Sequence, residues 1–391
     1  MKYDTVPLKS VLQPKGYIRG PFGSALKRGD MLETGVPVYE QQHAIYNSRT
    51  FRFFISPAKA IEMNRFAVEE NDLIISCSGT VGMVSLIQKN DPKGIISQAL
   101  LLLRVNPKIV DPVFLNYFFK SQEGYNSIIS RSSGSVQVNI SKRETIESIP
   151  IPLPPIDVQK KIAAILSALD EKIATNRAIN DNLQQQAAAL FSSLYDRSNT
   201  EVRFTDLIQI LGGGTPKTGE NTYWNGNIAF FTPKDVGTPY TLITEKTISK
   251  EGLSHCNSRL YPVNTVFVTA RGTVGKVGMS GVPMAMNQSC YALVGKETHQ
   301  LLVYFYTLKA VDRLKHKASG AVFDAITTRD FESEQIMKLS DDDATAFLRV
   351  AEPMFQEVLN NNIENLRLST LRDSLLPKLM SGEIDVSAVQ L

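Results

Sequence analysis

Between Asp157 and Tyr195 the chain has no Gly or Pro, and its seam positions recur in steps of four and three: Ile162, Leu166, Leu169, Ile173, Asn176, Asn180, Leu183, Ala187, Leu190 and Leu194. A heptad stripe kept this long predicts one helix with a single apolar face. It follows the proline-rich IPIPLPPI (149–156), which can continue neither a helix nor a central strand, and Asp157 is its predicted N-cap. The stripe returns 185 positions later as Phe347, Ala351, Met354, Val358, Asn361, Asn365, Leu368, Arg372, Leu375 and Leu379, and only Arg372, against Ala187, changes character. Pro353 lies inside this second pattern, so the second helix is expected to begin at, or kink near, that residue. Each segment would run about 55–60 Å at 1.5 Å per residue. A stripe of that length needs a partner, and each half supplies one for the other. The expectation is an intramolecular antiparallel coiled coil in which Asn176 and Asn180 meet Asn361 and Asn365 in a buried polar layer, giving up some stability to fix the register.

The remaining segments have a different pattern. Residues 1–155 and 199–341 are rich in Gly, Pro, Thr, Phe and Tyr, and hold short apolar runs such as DLIIS, IISQALLLLRV and NTVFVTARG. These predict short strands joined by tight turns, with helical pieces near DPVFLNYFFKSQ and LLVYFYTLKAVDRL. The two segments also repeat each other. VPVYEQQHA (36–44) answers NIAFFTPKDV (227–236), SGTVG (78–82) answers RGTVG (271–275), ISQALLLLRV (96–105) answers MNQSCYALVG (286–295), and SGSVQVNISKR (133–143) answers SGAVFDAITTR (319–329). The order never changes, as expected of a duplicated unit with loop insertions. The predicted class is α+β: a first globule over 1–155, a long helix over 156–198, a second globule over 199–341, a second long helix over 342–385 and a tail over 386–391. The arrangement is pseudo-twofold symmetric.

Composition narrows the chemistry. The 391 residues are 43% hydrophobic and 21% charged, with a net charge of +3, which excludes a histone-like polycation but allows local basic surfaces. Cys77, Cys256 and Cys290 form no CxxC pair, which fits a reducing cytosol and no structural zinc. The start lacks an apolar signal region and no stretch is long enough to cross a membrane, so a cytoplasmic protein is expected. His43, His255, His299 and His316 form no HExxH or paired motif, so no metal site is expected. LGGGTPKTG (211–219) lacks the ending of a phosphate-binding P-loop and reads as a surface turn before a strand. With no nucleophile elbow, dinucleotide fingerprint, amino-methyltransferase tetrapeptide or nuclease carboxylate set, the chain reads as a binding protein.

Its candidate contacts are polar and basic groups on glycine-rich loops, where a backbone can approach a phosphate. In the first globule these are Arg19, Lys27, Arg28, Gln41, Gln42, His43, Arg49, Arg52, Ser78 and Thr80; in the second, Lys217, Lys234, Asp235, Arg271, Thr273 and Lys276. Gln and Arg are the residue types that read purine edges bidentately.

Taken together, the segment SSGSVQVNISKRETIESIPIPLPPIDVQKKIAAILSALDEKI (132–173), the turns SGTVG and RGTVG, and the ending LRDSLLPKLMSGEIDV resemble the specificity subunit of Type I restriction–modification systems, over essentially the whole chain. The resemblance implies two target-recognition domains, each reading half of a bipartite asymmetric site in double-stranded DNA, with the helices as spacer. It implies no catalysis and no cofactor on this chain. Two modification subunits would bind S-adenosylmethionine and methylate adenine, and restriction (translocase) subunits would use ATP and Mg. Two other readings stay open: a coiled-coil scaffold without DNA readout, and a fused methyltransferase or nuclease with unrecognised motifs.

Overall fold

The computed structural model of the chain describes residues 3–22, 26–130, 139–237, 239–317 and 325–389. It divides into two compact units, residues 1–171 with 368–391, and residues 172–367. Each unit holds one globule and one stretch of each of two long helices, Ile156–Asp196 and Asp341–Ser381.

The first unit is built on an antiparallel sheet in the order Leu12–Arg19, Leu100–Val105, Leu73–Ser76, Val84–Leu86. Its central strand, LIIS, shows no polar alternation because both faces are covered. Leu73 and Ile75 pack with Phe114 and Phe118 of the helix Pro112–Lys120 and with Ile162, Leu166 and Leu379 from the long helices. Ile74 faces the other way, with Tyr39 and Ile96. Those two residues belong to a second sheet, Phe54–Ile55, Val36–Tyr39, Ile95–Ile96, antiparallel then parallel. A third pairing joins Thr5–Pro7 to Pro150–Pro152, a two-stranded ribbon in which prolines cost no central ladder bond.

The second unit repeats all three sheets. Ile208–Gly212, Cys290–Gly295, Val266–Thr269 and Val277–Ser280 take the order of the first unit's main sheet, and Tyr240–Thr241 adds a parallel edge strand. Lys246–Ile248, Trp224–Phe231 and Met284–Met286 form the second sheet, and Thr200–Arg203 with Gln335–Lys338 the ribbon. Val266 and Val268 pack with Phe191, Phe305, Phe347 and Phe355, while Phe267 lies on the opposite face with Phe231 and Tyr261. Of the repeated segments, 133–138 and 319–324 lie outside the described residues.

Within the second unit the long helices pair antiparallel through buried amides. Asn361 Nδ2 donates to Asn180 Oδ1 at 2.9 Å, and Asn176 Nδ2 donates to Asn365 Oδ1 at 3.0 Å. A step of four residues forward on one helix is a step of four back on the other. Asn362 and Glu364 extend the layer, accepting from Asn180 Nδ2 and Asn176 Nδ2 at 2.9 and 2.7 Å. Within the first unit, Arg372 pairs with Asp170 at 2.6 Å, and Tyr117 Oη donates to the same carboxylate at 2.7 Å. This explains the one mismatch between the stripes: Arg372 faces an acid, whereas Ala187 is buried in the second unit's aromatic core.

The helix boundaries differ from expectation at three points. Asp157 is not the cap, because the helix begins at Ile156 and the amides of Val158 and Gln159 already reach the Pro155 carbonyl at 2.9 and 3.0 Å. The second helix begins at Asp341, capped by Ser340 Oγ on the Asp343 amide at 3.1 Å, and runs through Pro353. That proline is on the exposed face, where water can satisfy the carbonyl it leaves without a donor. The helix stops at Ser381, short of 385, because Gly382 turns to φ +73°. Near the end of the first helix Phe191 is fully buried, while its neighbour on the expected seam, Leu190, packs against the same core only partly buried.

Asn361→Leu alone strands Asn180 Oδ1 in the layer and is expected to cost about 1–3 kcal/mol. Adding Asn180→Leu should return part of this, with a coupling of roughly 0.5–3 kcal/mol. Urea unfolding of the four proteins in the cycle measures it; additive costs would mean that the two amides do not interact.

Candidate nucleic-acid interface

The GTVG turns cap the same edge of the two main sheets. Each joins a central strand to its outer neighbour, Leu73–Ser76 to Val84–Leu86 and Val266–Thr269 to Val277–Ser280. All four glycines have positive φ: +65° at Gly79, +86° at Gly82, +81° at Gly272 and +72° at Gly275. A side-chain hydroxyl at the end of the strand clasps each turn. Ser76 Oγ donates to the Thr80 carbonyl at 2.6 Å and accepts from the Met83 amide at 3.0 Å. Thr269 Oγ1 does the same with the Thr273 carbonyl and, at 2.9 Å, with the Lys276 amide. The recurring unit is therefore Ser/Thr-x-x-Gly-Thr-Val-Gly, whose first residue lies outside the pentapeptide visible by eye.

Two further segments meet the turns. The first follows the parallel strand of the second sheet. Tyr39 O accepts from Ser97 N at 2.8 Å and Phe231 O from Asn287 N at 2.9 Å, which aligns Gln41-Gln42-His43 with Pro233-Lys234-Asp235. The third residue of each triplet closes its own loop. His43 Nδ1 accepts from Glu40 N at 2.7 Å, and Asp235 Oδ2 accepts from Thr232 N at 2.8 Å. The other segment forms the bridges Ser78–Asn139 and Arg271–Ala325.

In the first unit Ser78 N donates to Gln41 Oε1 at 3.2 Å, and Ser78 Oγ donates to Asn139 Oδ1 at 2.8 Å. In the second, Thr232, Lys234, Glu245, Lys246, Gly272 and Thr273 line an open groove of about 420 Å³ beside the turn. Arg271, Thr273 and Lys276 are exposed there. The surface has hydroxyls, amides and cations on a two-sheet frame, groups suited to hydrogen-bonding and ion-pairing with a polyanion.

The family model described as the Type I restriction modification DNA specificity domain matches residues 26–185 and again 197–338. The chain belongs to this family. It is similar to the specificity subunit of the type I restriction enzyme HindI of Haemophilus influenzae, 24% identical over 74% of this chain and 81% of that protein. It is also similar to the putative MjaX specificity subunit of Methanocaldococcus jannaschii, 20% identical over 85% of this chain and 83% of that protein. The crystal structure of the S subunit of a Type I restriction–modification system from M. genitalium shares the fold, with a TM-score of 0.66 at 15% identity, covering 97% of this chain and 96% of that one.

Within this specificity-family frame the sequence-predicted contacts separate into groups. Gln41, Ser78 and Thr80 gather at the first turn, and Lys234, Arg271, Thr273 and Lys276 at the second. Lys27, Arg28 and Lys217 are exposed on other loops. Gln42 is half-buried next to Gln41. Arg19 ends the strand Leu12–Arg19, with its guanidinium 5.7 Å from the Phe22 ring, and Cys77, whose thiol burial pushes up to about 12, lies within its electrostatic reach.

Four of the predicted contacts also make bonds within the protein. His43 is fully buried, its ring stacked on Phe51 at 4.6 Å and its Nε2 3.1 Å from the Thr50 carbonyl. Arg49 pairs with Asp91 at 2.7 Å and donates to the Leu86 carbonyl at 2.9 Å. Arg52 holds Glu40 in a fork of 2.8 and 2.7 Å, which raises its pKa further. Asp235 accepts from the Thr232 and Glu245 amides at 2.8 Å each. Sequence reading missed Asn139, Lys246 and the clasping hydroxyls of Ser76 and Thr269; for the hydroxyls a signal existed, since both repeats place one three residues before the first glycine.

Ser76→Ala removes the clasp from a fully buried site and is expected to destabilise the first unit by about 1–3 kcal/mol, read by thermal unfolding; an unchanged midpoint would remove the clasp from the account. Burial, the leading cause, lowers the His43 pKa, so the unfolded chain takes up this proton first, near pH 6.5. His43 should therefore support folding fully above that pH and lose its contribution as the pH falls below it. Unfolding midpoints measured from pH 7 to 5 should drop less in His43→Gln than in the parent.

Proposed function

We propose that this chain is the non-catalytic, sequence-reading subunit of a Type I restriction–modification complex acting in the cytoplasm. Each globule reads one half of a bipartite, asymmetric site in double-stranded DNA. The observation that carries the reading is the duplicated frame: three sheets and a clasped turn built twice in the same order, with Ser78 in one turn and Arg271 in the other. A shared framework with altered exposed groups is what two readers of two different half-sites require. Backbone contacts would set each unit's register on the duplex, and side chains at base edges would specify sequence. Helices of 41 residues run about 60 Å, on the scale of one to two DNA turns of about 34–36 Å, and would set the gap between half-sites.

Two modification subunits docked on this chain would carry S-adenosylmethionine and methylate adenine. Restriction subunits would add ATP- and Mg-dependent translocation and cleavage. Mapping methylated adenines in DNA from cells carrying the complete system tests the reading. The expected pattern is two short defined sequences at one fixed separation, with different sequences in the two halves. Methylation without a bipartite motif, or stoichiometric S-adenosylmethionine binding by the purified chain alone, would overturn it.

A further inference from the structure

Building on that reading, we propose that the two domains hold DNA by different chemistry: the second is a cationic anchor on the phosphate backbone, and the first works through neutral amides and hydroxyls. Because the frames match residue for residue around the turns, positions can be paired. Gln42 corresponds to Lys234, Ser78 to Arg271 and Met83 to Lys276. At all three the first domain has a neutral side chain and the second a cation.

Two more cations close on the second turn from other elements. Lys246 lines the groove beside Gly272 and Thr273. A Cβ placed on Gly275 would lie 2.6 Å from Lys315 Cε and 3.4 Å from its Nζ. At Gly82 the same space is filled by Ile128, Ile129 and Tyr125. Glu245 is the acid in the groove; it is 3.7 Å from Lys234, in a pair whose two side chains are 80% and 58% exposed, and so offsets little of the charge.

Of the first domain's loop arginines, Arg49 is held by Asp91 and Arg52, itself 66% exposed, pairs with Glu40, while Arg28 is exposed on a separate loop. What its turn presents is Ser78, with Gln41 held in place on the Ser78 amide and Asn139 on the Ser78 hydroxyl. An amide fixed in this way carries hydrogen-bonding information and no net charge.

Five like charges around one turn repel each other in the free protein and are relieved by phosphates. Each phosphate neutralised releases condensed counterions and adds about 0.9 to the slope of log affinity against log salt on duplex DNA. The two domains should therefore contribute unequally to that slope.

The test uses the full-length chain and a random-sequence DNA duplex, with affinity measured across a salt series. Lys234→Gln/Lys246→Gln/Lys276→Gln is expected to reduce the slope by about 2–3. Gln42→Ala/Ser78→Ala should leave it unchanged, and circular dichroism melts verify that both variants remain folded. A triple variant with the parent slope would overturn the inference, as would an equal loss of slope in Lys27→Gln/Arg28→Gln of the first domain. Because this probe carries no target site, the slope is read independently of the methylation map. A bipartite map with unmoved slopes would sink the inference alone, and a map without half-sites would sink the functional reading alone.

Discussion

A buried amide that can be satisfied in only one alignment governs how the two long helices pair. Apolar seam residues such as Ile173 and Val358 would accept several offsets, since sliding by a heptad replaces one greasy contact with another. Asn180 and Asn361 do not allow this. Shift the register and each side chain faces a hydrocarbon, at a desolvation cost comparable to a lost hydrogen bond. Arg372 opposite Asp170 imposes the same discipline within the first unit. Specificity of pairing thus resides in a few polar groups, while the apolar seam supplies most of the attraction.

The globules follow a parallel logic. Their main sheets are covered on both faces, so the central strands Leu73–Ser76 and Val266–Thr269 are buried along their whole length and a truncation there would open a cavity. The two units differ at buried positions too, Ile74 against Phe267, but there apolar replaces apolar; chemical character changes at the exposed ends of the frame. There a backbone held by positive-φ glycines and a clasping hydroxyl offers the same perch to a serine in one unit and an arginine in the other.

Much of this was legible in the chain because it is periodic or duplicated. The long helices announced themselves through spacing, and the asparagine layer through its appearance at the same place in both stripes. The turns and strand order could be read because each occurs twice. What escaped depends on contacts distant in sequence. Arg49 looked like a loop cation because its partner Asp91 lies on another segment, and His43 looked like a base reader because nothing local reveals the ring of Phe51 against it. Lys246 was invisible as part of the second turn's surroundings because it arrives on a separate strand. Leu190 and Phe191 could not be ranked by pattern, since both adjoin the seam and only the aromatic pocket of Phe305 and Phe347 decides between them.

The clasp has a consequence for how such a protein changes over generations. Ser76 and Thr269 tie the turn through backbone atoms of Thr80, Met83, Thr273 and Lys276, leaving the side chains at 78 and 271 out of the bonds that hold it. Substitution at Arg271 is therefore nearly free of folding penalty, and at Ser78 it costs only the exposed Oγ bond to Asn139, while substitution at the hydroxyls or the glycines costs more. A lineage can explore new surface chemistry by single replacements at the tips, each viable on its own, with no compensating change in the scaffold.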